Sequence, residues 1–337
     1  MDFREKLEKI VNRQDFTSFE AEELMEDILF GNLTSPQISS VLTALRMKEE
    51  SPKEILGFIN VMRKHMVKVK TRKSTIDTCG TGGDGKGTFN ISTAAALVVA
   101  AAGVSVAKHG NRNASSLCGS ADVLEELGVA INLTNVQAEK MLDKIGFTFL
   151  YAPLYHPAMK NVVPVRRELK IRTVFNFLGP FVSPAGVRRQ IIGVPGINLA
   201  HKLSQVAIHL DYEHLLIIAG SDGLDEISLS AQTSLFEVKG RKTKEITVDP
   251  KNFGIEKALS EEIKGGDAKE NAKIIKDIFG RVKSAARDIV ILNSAAALYV
   301  AGKTKTISDG AWLAAETIDS GKARELLEKV VNYRYEN

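Results

Sequence analysis

The chain has 337 residues, 44% hydrophobic and 26% charged, with a formal net charge of +4. This length accommodates two domains, or one large α/β domain with an appendage, and the composition is that of a globular protein with a sizeable core. The basic residues are scattered and the net charge falls far short of a nucleic-acid footprint. The two cysteines, Cys79 and Cys118, lack the paired spacing of a zinc or redox site and point to free thiols in a reducing compartment.

The N-terminal stretch MDFREKLEKIVNR is a charged amphipathic helix without the apolar core of a signal peptide. Phe3, Leu7, Ile10 and Val11 form its apolar stripe at helical spacing. Three capping boxes follow: Thr17 with Glu20, Thr34 with Gln37, and Ser51 with Glu54, the last with Pro52 at the first helical position. Gly31 suits a C-cap between two of these helices. No strand-like run interrupts them, so a small helical domain is predicted.

Residues 68–73 are basic and aperiodic and read as a linker, with 71–77 a candidate hinge. Short β-type runs then alternate with helical ones: strand 75–78 and helix 93–102, strand 104–107 and helix 121–127, and further strands at 147–150, 190–194 and 215–219. Strands separated by helix-length segments predict a mainly parallel central sheet flanked by helices. FEVKG and TKEITV, after Leu235, read as an edge hairpin, and alanine-rich helices begin near Asp288. The longest apolar run, 94–107, is broken by Gly103 and Ser105 and is too short for a bilayer, so no membrane role and a cytoplasmic location are expected.

Residues 75–93, TIDTCGTGGDGKGTFNIST, run from a strand through a glycine-rich loop into a helix capped by Asn90 or Ser92. Glycines let backbone N–H groups approach an anion, and the helix start adds free donors and positive dipole. Two familiar readings each fail by one residue. A dinucleotide site needs an acid after the next strand, where Lys108-His109 stands; a P-loop needs Ser or Thr after Lys86, where Gly87 stands.

A second loop, AKHGNRNASSLCGSAD at 107–122, also follows a strand and precedes a helix. Lys108 and Arg112 supply charge, Ser115, Ser116 and Ser120 hydroxyls, and Gly110 and Gly119 close approach. Two anion-binding loops at one sheet edge imply a ligand with more than one phosphate. After the 215–219 strand, Asp225 and Glu226 stand in a glycine-containing loop. They suit Mg²⁺, or are solvated acids of an Asp-Gly turn in which Asp222 takes part. Residues 151–181 mix aromatic and apolar side chains with His156, Arg166, Arg167 and Arg172, a composition suited to an aromatic acid.

GTGGDGKGTFNIST, KHGNR, CGSADVLEELGV, YAPLYHPAMKNVVPVRRELKIRTVFNFLGP and DGLDEIS together resemble the anthranilate phosphoribosyltransferase family of tryptophan biosynthesis, over almost the whole chain. The resemblance implies an enzyme that transfers a 5-phosphoribosyl group from phosphoribosyl pyrophosphate to anthranilate. It implies a helical domain over 1–70, joined by part of 153–178, and an α/β domain over 71–337. It implies a phosphoribosyl pyrophosphate site at Gly80, Gly83, Asp84, Thr88, Asn90, Ile91, Ser92, Thr93, Lys108, His109, Gly110, Asn111, Arg112, Asn113, Ala114, Ser115, Ser116 and Ser120. Anthranilate contacts fall on Gly80, Asn111 and Arg166, with His109 nearby. Ser92, Asp225 and Glu226 match metal contacts, for two Mg²⁺ per site, and a homodimer is implied. Ser183 departs from the family's usual Asn. No single acid or base is assigned; Lys108 and magnesium supply electrostatic stabilisation. The nearest rivals are a pyrimidine nucleoside phosphorylase-like enzyme and a non-catalytic nucleic-acid binder. Roles for His156, Arg167 and Arg172 stay open.

Overall fold

The computed structural model describes residues 1–71, 73–112 and 117–334. They divide into two compact units, 1–67 with 153–184, and 68–152 with 185–334.

The first unit opens with helices Phe3–Val11, Ser18–Phe30, Ser35–Lys48 and Pro52–His65. Their starts follow the capping chemistry expected of them: the Thr17 hydroxyl accepts from the Glu20 N–H at 3.2 Å, and the Glu20 carboxylate accepts from the Thr17 N–H at 2.7 Å. Gln37 accepts from the Thr34 N–H at 2.8 Å, and Glu54 from the Ser51 N–H at 2.7 Å. Gly31 ends its helix in the left-handed region at φ 78°. Glu54 does more than cap. It is fully buried, and accepts from the Phe16 N–H at 3.0 Å and from Lys48 Nζ at 2.8 Å, so one carboxylate ties three segments together. The second segment of this unit adds short helices, including Val163–Leu169 and Phe175–Leu178.

The second unit is built on a seven-stranded sheet in the order β3-β2-β1-β4-β5-β6-β7. The strands are β1 (Thr75–Gly80), β2 (Ser105–Gly110), β3 (Phe147–Tyr151), β4 (Arg189–Gly193), β5 (His214–Gly220), β6 (Thr233–Lys239) and β7 (Lys242–Val248). β3, β2, β1, β4 and β5 run parallel; β6 and β7 form the antiparallel edge hairpin. All of β5 is buried, as its unbroken apolar run requires of a central strand, whereas β7 carries exposed Lys242, Lys244 and Glu245 along the edge. Helix Ile91–Ala101 is apolar nearly all round and lies between β1, β2 and the helices Ala285–Val300 and Lys322–Val331. Helices Asn135–Ile145, Ile197–Ala207 and Ala268–Phe279 complete the cover.

Strand order reverses between β1 and β4, so their carboxyl ends open the crevice where α/β sheets bind ligands. Both strands end in glycine there, and Gly80 lies beside Gly193 in register.

Candidate active site

The loop after β1 winds through Gly82, Gly83, Gly85 and Gly87, all at φ between 65° and 78°. Side chains are strained at these angles, so the glycines let the backbone present its N–H groups in tight succession. The Thr81 N–H donates to the Gly193 carbonyl at 2.8 Å, and the Gly82 N–H to Asp225 Oδ2 at 3.1 Å. The acid loop after β5 therefore lies directly against the glycine loop. A Cβ on Gly80 would stand 2.9 Å from Asp225 Oδ2.

Asp225 and Glu226 are both half-buried. Burial first, then the charge of Asp84, pushes Asp225 up to about 7. Burial and neighbouring Asp225 hold Glu226 well above the usual carboxylate range, with Lys108 opposing. Acids gathered in a half-buried site with too little positive charge suit a divalent cation, which would replace the protons. With Ser92, Gly193 and Asn293 they line a narrow cavity of about 10 Å³, room for one water-sized occupant. No cluster of three or more His, Cys, Asp or Glu ligands occurs among the described residues. Magnesium needs no more than the pair: it takes one or two carboxylates and completes its shell with water and phosphate oxygens. Asp222 is committed to the turn: it accepts from Ser228 Oγ at 2.6 Å, Ser230 Oγ at 2.5 Å and the Leu224 N–H at 3.1 Å.

Lys108, 1% exposed, donates to the Thr78 carbonyl and to Ser92 Oγ, the latter at 3.3 Å. Its ammonium thus stands on the carboxylate side of the crevice, offsetting Glu226 and buried Asp77. Asp77, raised to about 7 by burial, accepts from the His109 N–H at 3.1 Å and from Gln190 Nε2 at 3.3 Å. The His109 ring is itself buried. Gly110 allows a close approach: a Cβ there would lie 2.2 Å from Ser120 Oγ and 2.9 Å from the Phe149 ring. The Asn111 carbonyl accepts from the Ala121 N–H and from Ser120 Oγ, and its side chain from the Arg112 N–H, fixing the exit of β2. Arg112 is ion-paired with Asp122 at 2.9 Å and Glu125 at 2.8 Å and lies over Tyr151; these carboxylates hold its guanidinium charged. Asn113, Ala114, Ser115 and Ser116 lie outside the described residues.

Asn90 stands at the N-cap position but makes no capping bond there. It donates to the Cys118 carbonyl at 3.1 Å and accepts from Asn271 at 2.9 Å, joining the glycine loop to two other segments. Thr88 bridges to Lys264, and Ile91 and Thr93 are buried, Thr93 Oγ1 without a hydrogen bond among the described residues. The crevice thus assembles Gly80, Ser92, Lys108, Asp225 and Glu226, and adds Thr78, Gly193 and Asn293, which the sequence reading left out. Distance in sequence hid Asn293: no local pattern links it to an acid loop some 66 positions away.

In the helical unit, Arg166 lies over the Phe175 ring at 5.7 Å with no carboxylate partner among the described residues, and burial lowers its pKa. An Arg so placed is ready for a ligand carboxylate. Arg167 and Arg172 are exposed, and the Arg172 carbonyl accepts from Arg46. Burial depresses His156 to about 4, so it is a neutral packing residue, bonded to the backbone of Val182. Ser183 is buried in the same unit.

Residues 72–324 match the glycosyl transferase family a/b domain, and residues 4–66 its helical bundle domain. The chain is 46% identical over 330 residues to an anthranilate phosphoribosyltransferase of Dehalococcoides mccartyi, covering 97% of each. Its structure is similar to that of anthranilate phosphoribosyltransferase from Thermus thermophilus, with a TM-score of 0.91 at 38% identity over 97% of this chain and 98% of that one. It is likewise similar to the Saccharomyces cerevisiae anthranilate phosphoribosyltransferase in complex with PRPP and Mg, with a TM-score of 0.90 at 27% identity over 98% and 97%. A glycine loop and an acid pair at the sheet's switch point, with likeness along nearly the full length, lead to one conclusion: the chain belongs to the anthranilate phosphoribosyltransferase family.

Proposed function

We propose that this chain transfers the 5-phosphoribosyl group of phosphoribosyl pyrophosphate to the amino group of anthranilate, yielding N-(5-phosphoribosyl)anthranilate and pyrophosphate in tryptophan biosynthesis. The observation that carries this reading is the meeting of the glycine loop with Asp225, Gly82 N–H to carboxylate at 3.1 Å, at the sheet's switch point. A phosphate-binding backbone and a cation-binding acid pair in contact suit a magnesium-bound pyrophosphate ester.

The amine lone pair forms the new C1–N bond as the C1–O bond breaks, and the departing electron pair goes to pyrophosphate. The proton then leaves the nitrogen. An aromatic amine is unprotonated near neutrality, so positioning matters more than a strong base. The N–H groups of residues 80–93 and the loop beginning at Lys108 bind the phosphates, Asn111 and Arg166 orient the acceptor, and His109 lies nearby. Lys108 supports the site electrostatically, holding Ser92 and balancing Glu226. Asp225, Glu226 and Ser92 would hold magnesium, as a pair of ions, which would supply positive charge against the charge growing on the leaving group.

The reading includes a cytoplasmic homodimer. Exposed Phe19, Phe30 and Met47 on the first helices support self-association. Mixing the protein with anthranilate, phosphoribosyl pyrophosphate and Mg²⁺ should extinguish anthranilate fluorescence; unchanged fluorescence at micromolar enzyme would reject the activity.

A further inference from the structure

Asn293 lies inside the alanine-rich helix Ala285–Val300, where a buried amide is costly unless fully bonded. It is bonded. Its Oδ1 accepts from the Ile227 N–H at 2.9 Å, and its Nδ2 donates to the Ile227 carbonyl at 3.2 Å and the Ile289 carbonyl at 2.9 Å. The amide therefore grips both backbone groups of the residue after Glu226. On the opposite side, a Cβ on Gly193 would stand 1.7 Å from the Asp225 carbonyl oxygen and 2.8 Å from its carbon. The Asp225 backbone occupies the space a side chain would take, and backbone cannot swing aside as a side-chain tip can. Gly193 also accepts from the Thr81 N–H, so one residue sets the glycine loop and the acid loop against each other.

We propose that Asn293 and Gly193 are positioning residues for magnesium: one clamps the chain behind Glu226, and the other leaves the gap that seats Asp225. This rests on the reading of Asp225 and Glu226 as the metal-holding pair. A clamp that only stabilised the fold would act equally on everything the enzyme binds. A positioning clamp weakens the metal selectively, as loss of a residue that orients a ligand typically does by about 10- to 100-fold.

The test is calorimetric titration of Mg²⁺ into the full-length protein with inorganic pyrophosphate and no acceptor, beside steady-state KM values. Asn293→Leu and Gly193→Ala should each raise the magnesium constant about tenfold or more and leave the anthranilate KM within about twofold. Arg287→Met, on the same helix, removes the 2.8 Å ion pair to Asp319 away from the site; it should lower Tm and leave the magnesium constant alone. If Asn293→Leu does not fold, Asn293→Ser is read in its place. Wild-type magnesium constants in the Asn293 and Gly193 variants would overturn the proposal, as would an equal shift in Arg287→Met. Asp225→Asn with Glu226→Gln separates the two ideas: if it also titrates like wild type, the metal assignment itself falls.

Discussion

At the scale of single residues, the environment decides what each charge can do. Arg166 is partly buried against Phe175 and lacks a carboxylate partner among the described residues, so a substrate carboxylate would complete it. Arg166→Ala should raise the anthranilate KM roughly tenfold to hundredfold, the range of a charge-assisted hydrogen bond, with the phosphoribosyl pyrophosphate KM little changed. Equal rises in both constants would remove Arg166 from the acceptor site. His156 is the opposite case, a titratable group that the fold keeps neutral. Its pKa is lowered from 6.5 to about 4, so below pH 6.5 the unfolded chain binds a proton that the folded chain refuses. The stability this group contributes is complete above 6.5 and is lost as pH falls towards 4, by roughly 2–3 kcal/mol. Denaturant titrations between these limits should show wild type losing stability relative to His156→Gln on acidification; parallel curves would contradict it. Such fates were only partly legible in the sequence. The residue types of the site were visible, but the acids that engage Arg112 stand ten and thirteen positions away, beyond any local pattern.

At the scale of elements, capping chemistry was legible because it is local: hydroxyl, amide and carboxylate act within three residues of one another. The buried strands were legible from their apolar runs, and the edge hairpin from its alternation. Helix Asn135–Ile145 escaped notice because only Ala138, Met141 and Leu142 of its residues are buried, a thin stripe. The second role of Glu54 was also invisible, since Phe16 and Lys48 reach it from other segments. Glu54→Ala strips a buried ammonium of its inner partner and a cap of its acceptor. The helical unit should lose about 3–5 kcal/mol, measured by chemical denaturation with helicity as the signal. A loss below about 1 kcal/mol would show that the exposed partner Asp15 suffices for Lys48.

At the scale of the whole molecule, the chain builds its helical unit in two visits, at 1–67 and again at 153–184. The second visit contributes buried Tyr155, Val162, Val165, Phe175, Leu178 and Phe181. A truncated chain beginning at residue 68 keeps these apolar groups and loses much of what covers them. It should bind a hydrophobic dye strongly and precipitate at concentrations the full chain tolerates. A truncated protein that stays monodisperse and dye-negative would mean that 153–184 can be accommodated without its helical partners. The sheet meets the opposite problem at β7, where backbone donors and acceptors face outward. A second copy pairing parallel and in register along that border would set its own Lys242 and Lys244 against the same residues here. Like charges oppose strand-by-strand growth. Molecules of this protein are thereby steered towards finite assemblies and away from fibres, even where crowding presses them together.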